Sequence, residues 1–219
     1  MHYQTLTVSR EFGSGGGRIA KLVADRLGWK LLDRELIEEI ARSARIDPRI
    51  VTLFDERPET WVGRMNRRAM RGAALAAGVA PDEEKCFDCD VMADLTQRVI
   101  ERAHNKGNCV LVGRGAQCIL QNEKDAFHVF VYAPFGERAC RLRARLGADV
   151  NVDERIHAID GERAHYLKQT FGKIWNDPHL YHLMISSSEN EEATADVILA
   201  AMNAPRSASA EKQETTTVA

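Results

Sequence analysis

Gly13-Ser14-Gly15-Gly16-Gly17-Arg18 is the stretch of this chain whose residue types and spacing could do chemistry. Glycines let the backbone turn several N–H groups toward one point, and a following helix adds the positive end of its dipole. A run of this kind holds an anion such as a phosphate. It needs a strand before it and a helix after it. Tyr3, Leu6 and Val8 predict the strand, and Ile19, Leu22, Val23 and Leu27 repeat at helical spacing.

A glycine-rich turn between strand and helix is the arrangement of a P-loop, whose consensus ends in Gly-Lys-Ser/Thr. The lysine serves the outer phosphates and the hydroxyl serves Mg²⁺. Aligned on Gly17, the chain puts Arg18 at the lysine position, Ile19 at the hydroxyl position and Phe12 at the first glycine. A dinucleotide-type Gly-x-Gly-x-x-Gly starts on Gly13 and Gly15 but meets Arg18 at its third glycine. Phosphate binding is therefore favoured over an ordinary glycine-rich turn.

A second candidate position is Asp33, after a short strand predicted over Trp29 to Leu32 and before a helix through Leu36, Ile37, Ile40 and Ala44. Asp33 suits a helix N-cap. It also stands at the carboxyl end of a strand, where open α/β sheets bind ligands. Both readings can hold. Further along, Arg138, Arg141 and Arg145 share one face of a helix expected from Phe135 to Leu146, which also carries Arg143. A helix at about 152–171 bears Arg155, Asp160 and Arg163. Phosphoryl transfer needs positive charge that closes over the transferring group and excludes water. Residues of about 135–175 read as an arginine-bearing lid.

The remaining elements must position these groups. Near-continuous apolar runs at Asn108 to Val112 and Phe127 to Ala133 predict buried parallel strands. A final strand at His182 to Ser186 precedes a last helix from about Glu191 to Asn203. Strands alternating with helices, with the phosphate loop on the first, argue a doubly wound, five-stranded parallel α/β sheet. Residues 47–107 read as mostly helical, with helices opening at Asp47-Pro48, at Trp61 to Ala77 and at Asp90 to His104. Arg64, Arg67, Arg68 and Arg71 make one basic stripe there, which a solvated helix face explains more simply than a cationic wall toward a ligand. Gly78 to Cys89 is expected to be a loop. The organisation expected is a domain over residues 1–204, with a helical insert at about 33–107, and a disordered tail over 205–219 that lacks apolar periodicity.

Composition narrows the function classes. Thirty basic against thirty-two acidic residues give a net charge of −2, which implies no global pull toward nucleic acid or membrane. No leader is expected, and no apolar run approaches the roughly eighteen residues that span a bilayer. The five cysteines include a Cys86-x-x-Cys89 pair, but no second pair stands at zinc-site spacing. No metal or redox site is read from them, and a reducing cytoplasm is the expected compartment.

Four runs carry a resemblance to a known family: Thr7 to Gly17, Leu32 to Ile37, Val112-Gly113-Arg114-Gly115, and Tyr181 to Ile185. Together they resemble the cytidylate kinase-like branch of the nucleoside monophosphate kinases, over roughly residues 4–203. The resemblance implies a P-loop kinase fold with a monophosphate-binding insert and an arginine-bearing lid, and nucleotide substrates used with ATP and Mg²⁺. By that resemblance Gly13, Ser14, Gly15, Gly16, Gly17 and Arg18 take the donor phosphates. Asp33, Arg34 and Arg114 face the acceptor, and Arg141, Asp160 and Arg163 belong to the lid, with Arg138 and Arg145 on the same helical face as Arg141. Arg18, Asp33, Arg141 and Arg163 are the expected catalytic residues. Two functions follow: an enzyme moving the ATP γ-phosphoryl group to a nucleoside monophosphate such as CMP or dCMP, and a non-catalytic nucleotide- or phosphometabolite-binding regulator. The retained lid arginines favour the first; Arg18 and Ile19 favour the second.

Overall fold

The computed structural model describes residues 3–33, 89–147 and 150–204. Its strands are β1 (Thr5–Arg10), β2 (Lys30–Leu32), β3 (Cys109–Val112), β4 (Ala126–Tyr132) and β5 (Leu183–Ser186). They form one all-parallel sheet in the order β2-β3-β1-β4-β5. The helices are α1 (Gly16–Leu27), α2 (Cys89–Lys106), α3 (Ala116–Ile119), α4 (Phe135–Leu146), α5 (Val152–Phe171) and α6 (Glu191–Asn203). The five-stranded, doubly wound α/β expectation is met. The short α3 and a 3-10 turn at Pro178–Leu180 are elements that apolar periodicity did not announce. Arg34, the basic stripe at Arg64 to Arg71, Cys86, the rest of the insert before α2 and the tail lie outside the described residues.

Strand alternation explains how two layers of helix share one sheet. Leu6 and Val8 of β1, Val110 and Val112 of β3, and Val129 and Val131 of β4 point to one face. There they pack against Ile19, Ala20 and Val23 of α1 and Ala195 and Ile198 of α6. On the other face, Leu32 and Leu111 meet Val99 and Ile100 of α2, while Phe130 meets Leu167 of α5 and Trp175. β1 lies at the centre, between β3 and β4, so even its polar residues are buried. Thr5 and Thr7 solve this by hydrogen bonding on the second face, to His104 Nδ1 at 2.9 Å and His128 Nδ1 at 2.8 Å.

His128 has its roles fixed by this geometry. Its Nε2 lies 3.2 Å from the Leu120 carbonyl oxygen, which can only accept, so Nε2 carries the proton and Nδ1 accepts from the Thr7 hydroxyl. Burial, then the neighbouring His182, lowers its pKa from 6.5 to about 4. The folded state thus prefers the neutral ring, and the unfolded chain binds the extra proton between pH 6.5 and 4. Stability from this residue is fully present above 6.5 and declines as pH falls through that window, by on the order of 3 kcal/mol. Urea unfolding at pH 7 and pH 4.5 tests this. The parent should lose more stability between the two than His128→Gln, and parallel losses would refute the assignment.

Among the described residues no helix is long and apolar enough to cross a membrane.

Candidate active site at the carboxyl edge of the sheet

β1 delivers the chain at Arg10 into the loop Glu11 to Gly15, and α1 starts at Gly16. Gly15 is the helix N-cap, with φ at +80°, a conformation that glycine adopts without steric cost. The Arg18 and Ile19 amides both turn back to the Gly15 carbonyl, at 2.9 and 3.0 Å. The amides of Gly16 and Gly17 are thus the first of the helix and have no intrahelical partner. Gly16 can carry no side chain, because a Cβ there would lie 2.5 Å from Arg10 Cβ.

The helix start changes the register of the motif. Counted from the cap Gly15 rather than from Gly17, the first consensus glycine falls on Arg10, the lysine on Gly16 and the hydroxyl on Gly17. Arg18 sits one residue further into α1. Its side chain is 74% exposed and pairs with Glu191 Oε1, at the start of α6, at 2.5 Å.

Three arginines hold the loop by alternate carbonyls. Arg163 Nη1 donates to the Arg10 carbonyl at 2.7 Å, Arg138 Nη1 to that of Phe12 at 3.1 Å, and Arg141 Nη1 to that of Ser14 at 3.3 Å. Asp160 closes the clamp: its Oδ1 accepts from the Phe12 amide at 2.8 Å, and its Oδ2 from Arg138 Nη1 at 2.5 Å. Glu11 Oε2 accepts from the Ala133 amide at 3.1 Å and stands 3.3 Å from Arg138 Nε. The Ser187 hydroxyl, after β5, donates to the Ser14 carbonyl at 2.5 Å and accepts from Arg141 Nη1 at 3.0 Å. The carbonyls of Arg10, Phe12 and Ser14 are therefore held by α4, α5 and the end of β5, with guanidinium groups against their negative ends.

The structure thus brings Gly13 to Gly17, Arg138, Arg141, Asp160 and Arg163 together. Arg145 is exposed and takes no part in the clamp. Sequence reasoning missed Arg10, Glu11 and Ser187. Glu11 was the readable one, as a carboxylate between the end of the first strand and the first loop glycine.

Beside the loop, at the carboxyl ends of β1 and β3, lies a cavity of about 50 Å³ lined by Ser9, Arg10, Arg114, Arg163 and Tyr166 among others. At about 10–15 Å³ per water, it has room for a few waters or one small tetrahedral anion. Its three arginines share the lining with Gln117, Leu167 and Trp175. Burial, then the Arg10 charge, lowers the Arg163 pKa to about 9 against the opposing pull of Asp160, Asp33 and Glu162, which leaves it protonated at neutral pH. Arg114 is placed by a turn in which Gly113, Arg114 and Gly115 all have positive φ, of 77°, 58° and 68°. For an arginine this conformation costs roughly 1–2 kcal/mol. The Tyr166 hydroxyl donates to the Arg114 carbonyl at 3.4 Å, and a Cβ on Gly115 would collide with the ring of Phe171. Asp33, after β2, puts Oδ1 at 3.8 Å from Arg10 Nη2.

The donor set fits Mg²⁺ sparingly. Asp160 and Glu11 are engaged by arginine and amides, and the Ser14 hydroxyl donates to the Glu11 carbonyl at 2.9 Å. Among the described residues Asp33 offers a half-exposed carboxylate at this edge, beside Arg10. One carboxylate with substrate phosphates and waters is a usual Mg²⁺ set.

The sequence matches the model of the cytidylate kinase-like family over residues 5–189. No curated protein gives a match. Among solved structures, an uncharacterized protein from Eubacterium ventriosum aligns with a TM-score of 0.66 and 20% identity, covering 92% of this chain and 99% of that one. Shikimate kinase from Bacteroides thetaiotaomicron aligns with a TM-score of 0.50 and 14% identity, covering 90% and 96%. At these identities the likeness is one of fold, that of the P-loop kinases.

Proposed function

This chain belongs to the cytidylate kinase-like family, and from that premise we propose that it transfers the γ-phosphoryl group of ATP to a nucleoside monophosphate of the CMP or dCMP kind. The observation that carries the proposal is the anion-sized cavity that Arg10, Arg114 and Arg163 line together at the end of β1, where the strand runs into the glycine loop. One cationic site next to another is what in-line transfer between two phosphates requires.

In this reading the amides of Gly13, Gly15, Gly16 and Gly17 surround the donor phosphates, while the Ser14 amide donates to the Glu11 carbonyl at 3.3 Å and shapes the loop. The acceptor phosphate enters the arginine cavity, and Asp33, Arg34 and Arg114 serve the acceptor. Asp33 would hold Mg²⁺, which when bound neutralises charge on the donor phosphate oxygens. Arg163 and Arg10 face the developing charge between the two sites, and the lid over about 135–175 excludes water. Arg141 and Arg138 act through the loop, whose carbonyls they hold away from the anion. Arg18 serves as a donor-side cation only if it leaves Glu191.

The non-catalytic binding reading is favoured by one observation. Neither Gly16 and Gly17 nor Arg18 and Ile19 supply the lysine and hydroxyl of an active P-loop. A coupled ADP-release assay against a panel of nucleoside monophosphates, with and without Mg²⁺, separates the two. Mg²⁺-dependent turnover with a pyrimidine monophosphate is expected. Thermal stabilisation by nucleotides with no turnover on any acceptor would overturn the enzyme and leave the binder.

A further inference from the structure

The amino-terminal edge of the sheet, a strand's length from the glycine loop, carries a second cluster of chemically capable side chains. His104, in the last turn of α2, places Nε2 at 3.5 Å from Glu123 Oε2 and 3.4 Å from Asp125 Oδ1. The three ligand atoms lie within 4.8 Å of one another. The His104 side chain is only 9% exposed. Its other nitrogen is fixed by the Thr5 hydroxyl at 2.9 Å.

These distances are informative. Ligand bonds of about 2.0–2.2 Å in a tetrahedron separate ligand atoms by roughly 3.3–3.6 Å. Both separations from Nε2 fall in that interval. A dication held here would be ligated by Nε2 and would offset the charge of the two carboxylates.

The carriers are also rigid. The Gln4 and Thr5 amides both donate to the Asp125 carbonyl, at 2.8 and 3.3 Å, which ties the turn before β4 to the start of β1. Within that turn the Glu123 amide donates to Leu120 at 3.0 Å, and the Ala126 amide to Glu123 at 3.2 Å. A hydroxyl on the non-ligating nitrogen is the kind of outer contact that orients metal-binding histidines.

We propose that His104, Glu123 and Asp125 form a binding site for a divalent transition metal of the Zn²⁺ type, with the fourth position open to solvent. One nitrogen and two oxygens suit Zn²⁺ or Co²⁺ better than Mg²⁺, which demands octahedral oxygen coordination. The ion would staple the end of α2 to the amino ends of β1 and β4. It is separate from the Asp33 edge and plays no part in phosphoryl transfer. The spacing of His104, Glu123 and Asp125 follows no metal motif, and only the fold assembles them.

The test uses the full chain stripped with a chelator and titrated with Zn²⁺ alone, followed by thermal unfolding, and with Co²⁺ followed by visible absorption. The parent should gain several degrees in Tm, saturating near one equivalent, and Co²⁺ should give the intense ligand-field band of a four-coordinate site. Glu123→Ala and Asp125→Ala change exposed or half-exposed side chains, so their metal-free Tm should stay near the parent's while the Zn²⁺ shift and Co²⁺ band are lost. Thr5→Val should keep the site but weaken Zn²⁺ about 10- to 100-fold. A parent with no Zn²⁺-dependent shift would overturn the proposal. So would a shift that survives in Glu123→Ala and Asp125→Ala, since the metal would then lie elsewhere.

Discussion

Arg138→Ala is expected to destabilise the folded chain by about 3–5 kcal/mol, the range for breaking a buried charge cluster from one side. Arg138 is 7% exposed and meets two carboxylates and a carbonyl at once: Asp160, Glu11 and Phe12. Removing it leaves Asp160 and Glu11 facing each other across the loop with less positive charge between them. It also frees the Phe12 carbonyl. Arg138→Lys should lose less, because a charge remains, yet an ammonium cannot match the planar fork that reaches all three partners. Equilibrium urea unfolding measures both variants. A double change, Arg138→Met with Asp160→Asn, should recover part of the loss, because the unpaired carboxylate is then gone. If Arg138→Ala costs less than about 1 kcal/mol, the value of an exposed pair, the clamp contributes nothing to the fold.

The reach of the sequence can be judged from the same residues. α4, α5 and α6 were legible because their boundaries are chemical. Pro134 precedes the first, and Asn151 and Asn190 cap the others by accepting from the Glu154 and Ala193 amides. The strands were legible from their apolar runs, although buried Thr5 and Thr7 show that a central strand can carry polar residues when a histidine waits opposite each. The glycine loop between strand and helix was legible, but its register was not. Glycines can be counted in a sequence, whereas the residue that caps the helix is decided by backbone angles and by what lies beside it. Arg10 therefore passed unnoticed at the position of a consensus glycine. The arginines of α4 and α5 stood out as a cluster, yet their partners include the carbonyls of Arg10, Phe12 and Ser14. Backbone acceptors look the same at every position of a sequence, so no spacing could reveal that these arginines build the loop as well as face it.

Arg163 is where building the loop and doing chemistry can be separated. Its Nη1 holds the Arg10 carbonyl at 2.7 Å, and its side chain lines the arginine cavity with Asp160 3.5 Å away. If its charge acts on the transferring phosphoryl group, Arg163→Ala should lower kcat on the order of 10²- to 10³-fold, the usual loss when one electrostatic donor is removed from a transition state. The nucleotide Kd should change by only a few-fold, because the amides of Gly16 and Gly17 are untouched. Arg163→Lys tests the geometry: the charge survives, and kcat should recover in part but not fully, since a single ammonium cannot serve the carbonyl and the anion together. A scaffolding role predicts another pattern, with lower Tm, weaker nucleotide binding and turnover reduced in proportion to the fraction folded. Measuring kcat, Kd and Tm on the same preparations decides between them. A variant with the parent's kcat and Tm would remove Arg163 from both roles and return the search for the transition-state cation to Arg10 and Arg114.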